Sequence, residues 1–248
     1  MPRVLIGICT LDRPDGLQRA IDGIARQRLS TLADDDIVVE IVDNSADGAA
    51  AQRIRSMQAE FRFALGYRHV AERGLAIARN AAIAAALDQG ATHLAFVDDD
   101  EIPTPDWLEQ IMQAVATPGA AAAVGPVLPL FAAPPPSWLP TDAFVTRAIC
   151  DGERVRAGYT GNCAITCAPL AVSGLRFDTR LNESGGEDTA FFRALQSAGH
   201  HIAWAERAEV WEVVAPHRMR ARWLLQRWYR TGLVEARLAG FAAPSAAT

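Results

Sequence analysis

Four consecutive acids, Asp98-Asp99-Asp100-Glu101, follow the apolar run Leu94-Ala95-Phe96-Val97. Four like charges side by side repel one another and destabilise a compact chain unless something positive sits among them. A divalent cation meets that need, and a hard one, because every available ligand is oxygen. Mg²⁺ on carboxylates usually completes its shell with substrate phosphates. The run therefore points to metal-assisted chemistry on a phosphorylated substrate. A calcium-loop reading fails. Counted from Asp98, the third and twelfth positions are Asp100 and Glu109, which match, but the fifth and sixth are Ile102 and Pro103, where a polar ligand and a glycine are required. Plain solvated charge is the bland alternative, and the tip of a strand is an odd place for it.

A second acidic site, Glu187-Asp188, follows Gly185-Gly186 and precedes the apolar residues Phe191, Phe192 and Leu195. Acids in the first turn of a helix suit its dipole and need no further role, and Ser184 or a glycine could cap such a helix. The functional alternative is a general base, presented on a glycine turn at a rigid helix start. Arg73, Arg79 and Asn80 open an alanine-rich segment. Either arginine could pair with phosphate oxygens or sit in water as ordinary surface charge.

The elements that must position these residues alternate. Val4–Cys9, Ile37–Val42, a weaker run near Leu65–Val70 and Thr92–Val97 read as strands. Helical spacing marks Leu17, Ile21 and Ile24, then roughly 49–60, then Gly74–Leu87 with Gly90 as a stop. Pro105–Val115 reads as a helix capped by Thr104. Such alternation predicts an α/β fold with a mostly parallel sheet and helices on both faces. Ligands of such sheets bind outside the carboxyl ends of the strands. Three polar clusters fall there: Thr10/Asp12/Arg13, Asp43/Asn44/Ser45 and Asp98/Asp99/Asp100. Beyond residue 117 the texture changes. Ala120–Val124, Ala143–Ile149, Gly161–Cys167, Ile202–Ala205 and Val210–Val214 are strand-like, Thr189–Ala198 is helical, and Pro126 to Pro140 reads as a long irregular loop.

Composition excludes much. The 248 residues carry a net charge of −5 and half are apolar, as in ordinary soluble domains. No run approaches the roughly 20 apolar residues of a membrane span, and Met-Pro-Arg-Val lacks a secretory pattern. A cytoplasmic protein with no nucleic-acid partner is expected. Cys9, Cys150, Cys163 and Cys167 are scattered and read as reduced thiols; Cys163 and Cys167, without a second pair, make a weak zinc motif. The chain contains no lysine. That removes the Walker A loop, Schiff-base chemistry and lysine bases together. Its basic residues are all arginine, which a GC-rich genome would also produce.

In order and spacing, several segments together resemble family 2 glycosyltransferases of the GT-A fold, close to bacterial exopolysaccharide-assembly enzymes. They are Cys9-Thr10-Leu11-Asp12-Arg13-Pro14, Val42-Asp43-Asn44-Ser45, Gly74–Asn80, Phe96–Pro103 and Gly185-Gly186-Glu187-Asp188. The resemblance spans roughly 3–235. It implies a catalytic region over 1–216, with a Rossmann-like nucleotide-sugar half (1–117) and a smaller, mixed acceptor-side half (118–216). Thr10 and Asp43 would line the nucleobase pocket. Asp12, Arg13, Arg79, Asn80 and Asn162 would belong to the donor site. Asp98 and Asp99, in the family's DXD element, would face the ribose, and Asp100 would hold Mn²⁺ or Mg²⁺. Asp188, or else Glu187, would deprotonate the acceptor, and His217 would be a distant metal ligand. One base and one metal, without a carboxylate nucleophile, fit single displacement with inversion. The implied reaction moves a sugar, preferably from a UDP-sugar, to a saccharide or polyprenyl-diphosphate-linked acceptor. The rivals are a sugar-phosphate nucleotidyltransferase, which usually carries a glycine-rich signature and a lysine, and a non-catalytic nucleotide-sugar-binding module, which needs no base at Asp188.

Residues 217–240 read as one basic amphipathic helix ahead of a short tail. Ala221, Leu224, Leu225 and Trp228 form its stripe, with Arg220, Arg222, Arg227 and Arg230 around it. The stripe would pack on the catalytic domain. The arginines would face an anionic acceptor or lie against the inner face of the plasma membrane.

Overall fold

The computed structural model describes residues 3–147, 150–151 and 154–242. Its first half is the predicted alternation: β1 (Val4–Thr10), α1 (Pro14–Ala25), β2 (Ile37–Asp43), α2 (Ala51–Met57), β3 (Ala64–His69), α3 (Leu75–Asp88) and β4 (His93–Val97). The chain continues through β5 (Glu101–Pro103), α4 (Trp107–Val115), β6 (Ala120–Val124), β7 (Val127–Phe131), β8 (Cys150–Asp151), β9 (Arg154–Val155), β10 (Asn162–Thr166) and α5 (Cys167–Ser173). It ends with α6 (Glu187–Ser197), β11 (His201–Trp204), β12 (Val210–Val214) and α7 (Ala221–Ala242).

A nine-stranded sheet runs in the order β3-β2-β1-β4-β10-β6-β11-β9-β8. The block β3-β2-β1-β4 is parallel, as is β6 with β11, while β10 lies antiparallel between β4 and β6. The two predicted halves therefore share one sheet. Its central strands β1 and β4 read as near-continuous apolar runs because both faces are covered. Val4, Ile6 and Ile8 pack with Leu17 and Ile21 of α1, Ile54 of α2 and Trp107 of α4. Leu5 and Phe96 point the other way, toward Ala78 and Ala82 of α3, Leu170 of α5 and Phe191 and Phe192 of α6. Cys163 and Cys167 belong to this second apolar layer.

A small sheet, β5-β12-β7, stands beside the large one. The acidic run is the link between them: β4 ends at Val97 and β5 begins at Glu101. Helix α1 comes very close to this turn. A Cβ at Gly16 would lie 2.5 Å from the Asp99 carbonyl oxygen, so only glycine lets the helix approach that far.

Several boundaries differ from expectation. The stretch Pro126 to Pro140 is not all irregular: Val127–Phe131 forms β7, because it can pair with β12. Instead of a strand over Ala143–Ile149 there is a 3-10 turn at Thr141–Phe144 and a single bridge from Thr146 to Val127; residues 148–149 lie outside the described ones. Thr104 does not cap α4. Asp106 holds that position, and the Thr104 hydroxyl donates to the Glu209 carbonyl instead. The C-terminal segment opens as a 3-10 turn, Pro216–Arg218, before α7; residues 243–248 lie outside the described ones. Its apolar stripe also splits. Leu224 is buried with Leu139, Phe144, Val214 and Met219, whereas Leu225 and Trp228 are exposed. Among the described residues no helix is long and apolar enough to cross a membrane.

One buried amide joins these layers. Asn162 accepts from Trp107 Nε1 at 2.8 Å and donates to the carbonyls of Pro126 (3.0 Å) and Ala208 (2.6 Å). Its removal strands an indole N–H and two carbonyls in the core, each costing about 1–3 kcal/mol. Asn162→Ala is therefore expected to lower stability by about 3 kcal/mol or more, measured by urea unfolding; a loss below about 1 kcal/mol would contradict this role.

Candidate active site

The acidic run meets three arginines from three distant segments. Asp99 is buried; its carboxylate accepts from the Thr10 hydroxyl at 2.8 Å and from Arg13 Nη1 at 3.0 Å. Asp100 Oδ2 accepts from Arg13 Nη1 at 2.9 Å and from Arg218 Nη2 at 3.1 Å. Asp98 lies 3.6 Å from Arg79 Nη2. Burial, with Asp100, Asp99 and Asp188 adding repulsion, pushes the Asp98 carboxyl up to about 6 against the pull of Arg79. Glu101 is buried in β5 and caps the turn by accepting from the Asp98 backbone N–H at 3.1 Å. Burial, and then Asp98, hold its carboxyl well above the usual range.

Thr10, Arg13, Asp98, Asp99, Asp100 and Arg218 border a cavity of about 890 Å³ at the carboxyl ends of β1 and β4. The start of α3 forms another wall, held in place by two asparagines. Asn44 Oδ1 accepts from Gly74 N at 2.8 Å, and Asn182 Oδ1 accepts from Ala76 N at 2.9 Å. The oxygen donors suit a hard cation. Among the described residues, Asp100 Oδ1 and Asp98 Oδ2 accept no hydrogen bond, and no three His, Cys, Asp or Glu side chains close a complete metal cage. Asp100 fits a Mn²⁺ or Mg²⁺ whose shell is completed by substrate and water.

A smaller pocket of about 130 Å³ opens beside the cavity, between Thr10, Leu17, Asp43 and Ala50. Asp43 is buried. Burial works to raise its carboxyl, but hydrogen bonds from Ser45, Ala50 and Tyr67 outweigh that and leave it below the usual range. Asp12, at this pocket's rim, has φ +54°, the one positive φ outside glycine among the described residues.

The second acidic site divides. Glu187 is buried, and its carboxylate takes Arg79 Nη1 at 2.6 Å. That pair also holds Arg79, itself buried, between Glu187 and Asp98. Asp188 faces elsewhere, into a further cavity of about 490 Å³ formed by the Gly185-Gly186 turn and α7. Its Oδ1 accepts from Thr189 N at 2.6 Å, which fixes the side chain on the first turn of α6. Asn182 and Glu183 line both cavities, so the two adjoin there. Helix α7 is held over the turn by the Arg193–Glu235 ion pair at 2.6 Å. A Cβ on Gly186, at φ +90°, would meet Val234 at 2.5 Å.

The structure thus brings Thr10, Arg13, Asp98, Asp99 and Asp100 together around one cavity, with Asp43 and Asp12 in the adjoining pocket. Arg79 lies behind this wall. Asn80 is turned away, exchanging two hydrogen bonds with the backbone of Phe177. Asn162 is spent on the core contacts described above. His217 is exposed and lies off the cavity wall, while its neighbour Arg218 reaches in. Sequence reasoning missed Arg218, Glu212, Asn182 and Glu183. Adjacency to His217 and to the Gly-Gly-Glu-Asp segment were the signals available for three of them.

Comparison with known proteins places the chain in a family. Residues 5–173 match the glycosyl transferase family 2 model. The succinoglycan biosynthesis protein ExoM of Rhizobium meliloti (strain 1021) is 33 % identical over 234 residues, covering 94 % of this chain and 74 % of ExoM. Mannosyltransferase PcManGT from Pyrobaculum calidifontis, solved with GDP-Man and Mn²⁺, superposes with a TM-score of 0.69 at 20 % identity, over 96 % of this chain and 64 % of that one. S. aureus TarS 1-349 superposes at 0.62 and 14 % identity, over 86 % and 60 %. The chain spans less than two thirds of the length of these solved structures, and the likeness to them is one of fold, GT-A. By its family match and its relative, the chain belongs to glycosyl transferase family 2 and is a glycosyltransferase.

Proposed function

We propose that the protein is an inverting, metal-dependent glycosyltransferase that moves a sugar from a nucleotide-sugar to a saccharide or polyprenyl-diphosphate-linked saccharide in bacterial exopolysaccharide assembly. The observation that carries this reading is the adjoining pair of cavities. One has Asp98, Asp99 and Asp100 on its wall, the other has Asp188, and they meet at Asn182 and Glu183. A non-catalytic binding module would have no use for the second. Solved relatives in complex with UDP-GlcNAc and with GDP-Man support a nucleotide-sugar donor, and UDP-sugar is our favoured class.

Thr10 and Asp43 hold the nucleobase end, Asp98 and Asp99 the ribose, and Asp100 the cation, Mn²⁺ or Mg²⁺. Held by Asp100, such a cation would supply positive charge for the departing diphosphate. Transfer passes through an oxocarbenium-like state. Asp188 takes the acceptor hydroxyl proton from the far side of the sugar. Glu187, bound to Arg79, is a positioning residue. A donor half (1–117) and an acceptor half (118–216) remain part of this reading, with Asn182, Glu183, Glu212 and Arg218 reaching the donor cavity from beyond 117. Helix α7 exposes Leu225, Trp228 and Tyr229 beside Arg222 and Arg230. This face suits peripheral contact with an anionic membrane carrying the acceptor.

With Mn²⁺, a panel of nucleotide sugars and acceptor lipid extract, wild type is expected to release nucleoside diphosphate from one donor. Asp188→Asn should lower transfer at least a hundredfold and leave nucleotide binding intact. Full activity of that variant moves the base elsewhere. Formation of pyrophosphate from sugar phosphate and UTP would replace the reading with nucleotidyl transfer.

The raised Asp98 carboxyl gives a second test. A carboxyl raised in the native state binds its proton more tightly there than in the unfolded chain, so its charged form weakens the fold above about 6. Partial exposure tempers this cost to about 1 kcal/mol. Asp98→Asn is expected to melt about 2–4 °C above wild type at neutral pH without divalent cations, the gap closing toward pH 4. A lower melting point at neutral pH would contradict this.

A further inference from the structure

We propose that Arg218 is a binding residue for the diphosphate of the donor, a role that rests on the nucleotide-sugar reading above. Arg218 ends the 3-10 turn after β12 and lines the large cavity. Its guanidinium bonds Glu212 through Nη1 and Asp100 Oδ2 through Nη2 at 3.1 Å. The same Asp100 oxygen already accepts from Arg13 at 2.9 Å. Two guanidinium groups thus converge on one carboxylate oxygen, where one is enough to neutralise it. Arg13 is also committed to Asp99. Arg218 can therefore exchange its contact with Asp100 for an incoming anion while Asp100 stays paired with Arg13.

The side chain is held ready for that exchange. Glu212 grips it from β12, and the Trp223 ring lies 5.7 Å from its Cζ. Trp223 is itself stacked on buried Phe144, with centroids 5.8 Å apart and planes 7° from parallel. A guanidinium fixed in this way loses little freedom when it binds. It presents five N–H donors, of which the described hydrogen bonds engage two groups. Its planar fork matches two phosphate oxygens at once. The cavity wall carries the acids Asp98, Asp99, Asp100, Glu183 and Glu212. A doubly charged diphosphate entering there needs positive charge from the protein as well as from a cation. The donor's arrival would thus replace one arginine–carboxylate contact by an arginine–phosphate contact, with no covalent change.

The test uses phosphate count. Calorimetric titration of the full chain with uridine, UMP and UDP, and in parallel the guanosine series, is run with Mn²⁺ and without divalent cations. Arg218→Gln is expected to weaken nucleoside diphosphate at least about tenfold and nucleoside less than about twofold in both buffers. Arg218→Lys should fall between, since it keeps the charge and loses the fork. Equal losses for nucleoside and diphosphate would make Arg218 a structural tether of Asp100 and overturn the proposal, as would an unchanged diphosphate affinity. If circular dichroism shows Arg218→Gln misfolded, Arg218→Lys decides by the same comparison. Wild type that binds neither series would overturn the nucleotide-sugar reading itself, a result separate from any effect of the variants.

Discussion

Repulsion among the carboxylates at the end of β4 is the constraint on which the rest of this site depends. Asp98, Asp99, Asp100 and Glu101 follow one another without a break, and the fold answers with arginines from three places. Arg13 comes from the turn after β1, Arg79 from α3 and Arg218 from the segment after β12. Arg13 and Arg218 lie far away in sequence, Arg218 by 118 residues from Asp100, while Arg79 sits on the helix just before β4. The acidic turn is therefore compatible only with a chain whose first strand, third helix and C-terminal segment are already in register. Charges this buried are costly unless paired and hydrogen-bonded. The Thr10–Asp99–Arg13–Asp100 chain of contacts goes far toward that condition, although burial still raises the Asp99 carboxyl, and Asp98, less well compensated, is displaced toward protonation as well.

The same economy separates two adjacent acids. Glu187 and Asp188 open one helix, and α-helical geometry turns neighbours about 100° apart. Glu187 is carried inward to Arg79, which ties α6 to α3 and the acidic turn. Asp188 is carried outward, to a cavity roofed by α7. Trp223 stands between the two sides: Arg218 lies 5.7 Å and Arg227 5.4 Å from its ring centre. One aromatic side chain thus braces an arginine of each cavity, which gives the C-terminal segment a part in both.

Much of this is legible in the amino-acid order. The strands announce themselves because burial on both faces leaves runs such as Val4–Cys9 without polar interruption. The acidic run is legible because its members are contiguous and a strand delivers them. Arg218 and Asn182 are not, since their meaning comes from Asp100 and Ala76, more than 100 residues away. Among many arginines, periodicity marks none as special. Asn80 and Asn162 show the converse. A polar side chain near a motif suggests a ligand contact, yet here their amides satisfy backbone groups that the core would otherwise strand. Strand β7 was hidden in a proline-rich stretch because its pairing partner, β12, comes some 80 residues later.

In the reading proposed above, the acidic turn forms half of a cation site and the donor's phosphates supply the rest. The decisive measurement is calorimetric titration of Mn²⁺ into the metal-free protein, alone and then saturated with nucleoside diphosphate. Mn²⁺ should bind weakly alone and at least about tenfold tighter with the nucleotide present. Equal Mn²⁺ affinity in the two titrations would contradict it.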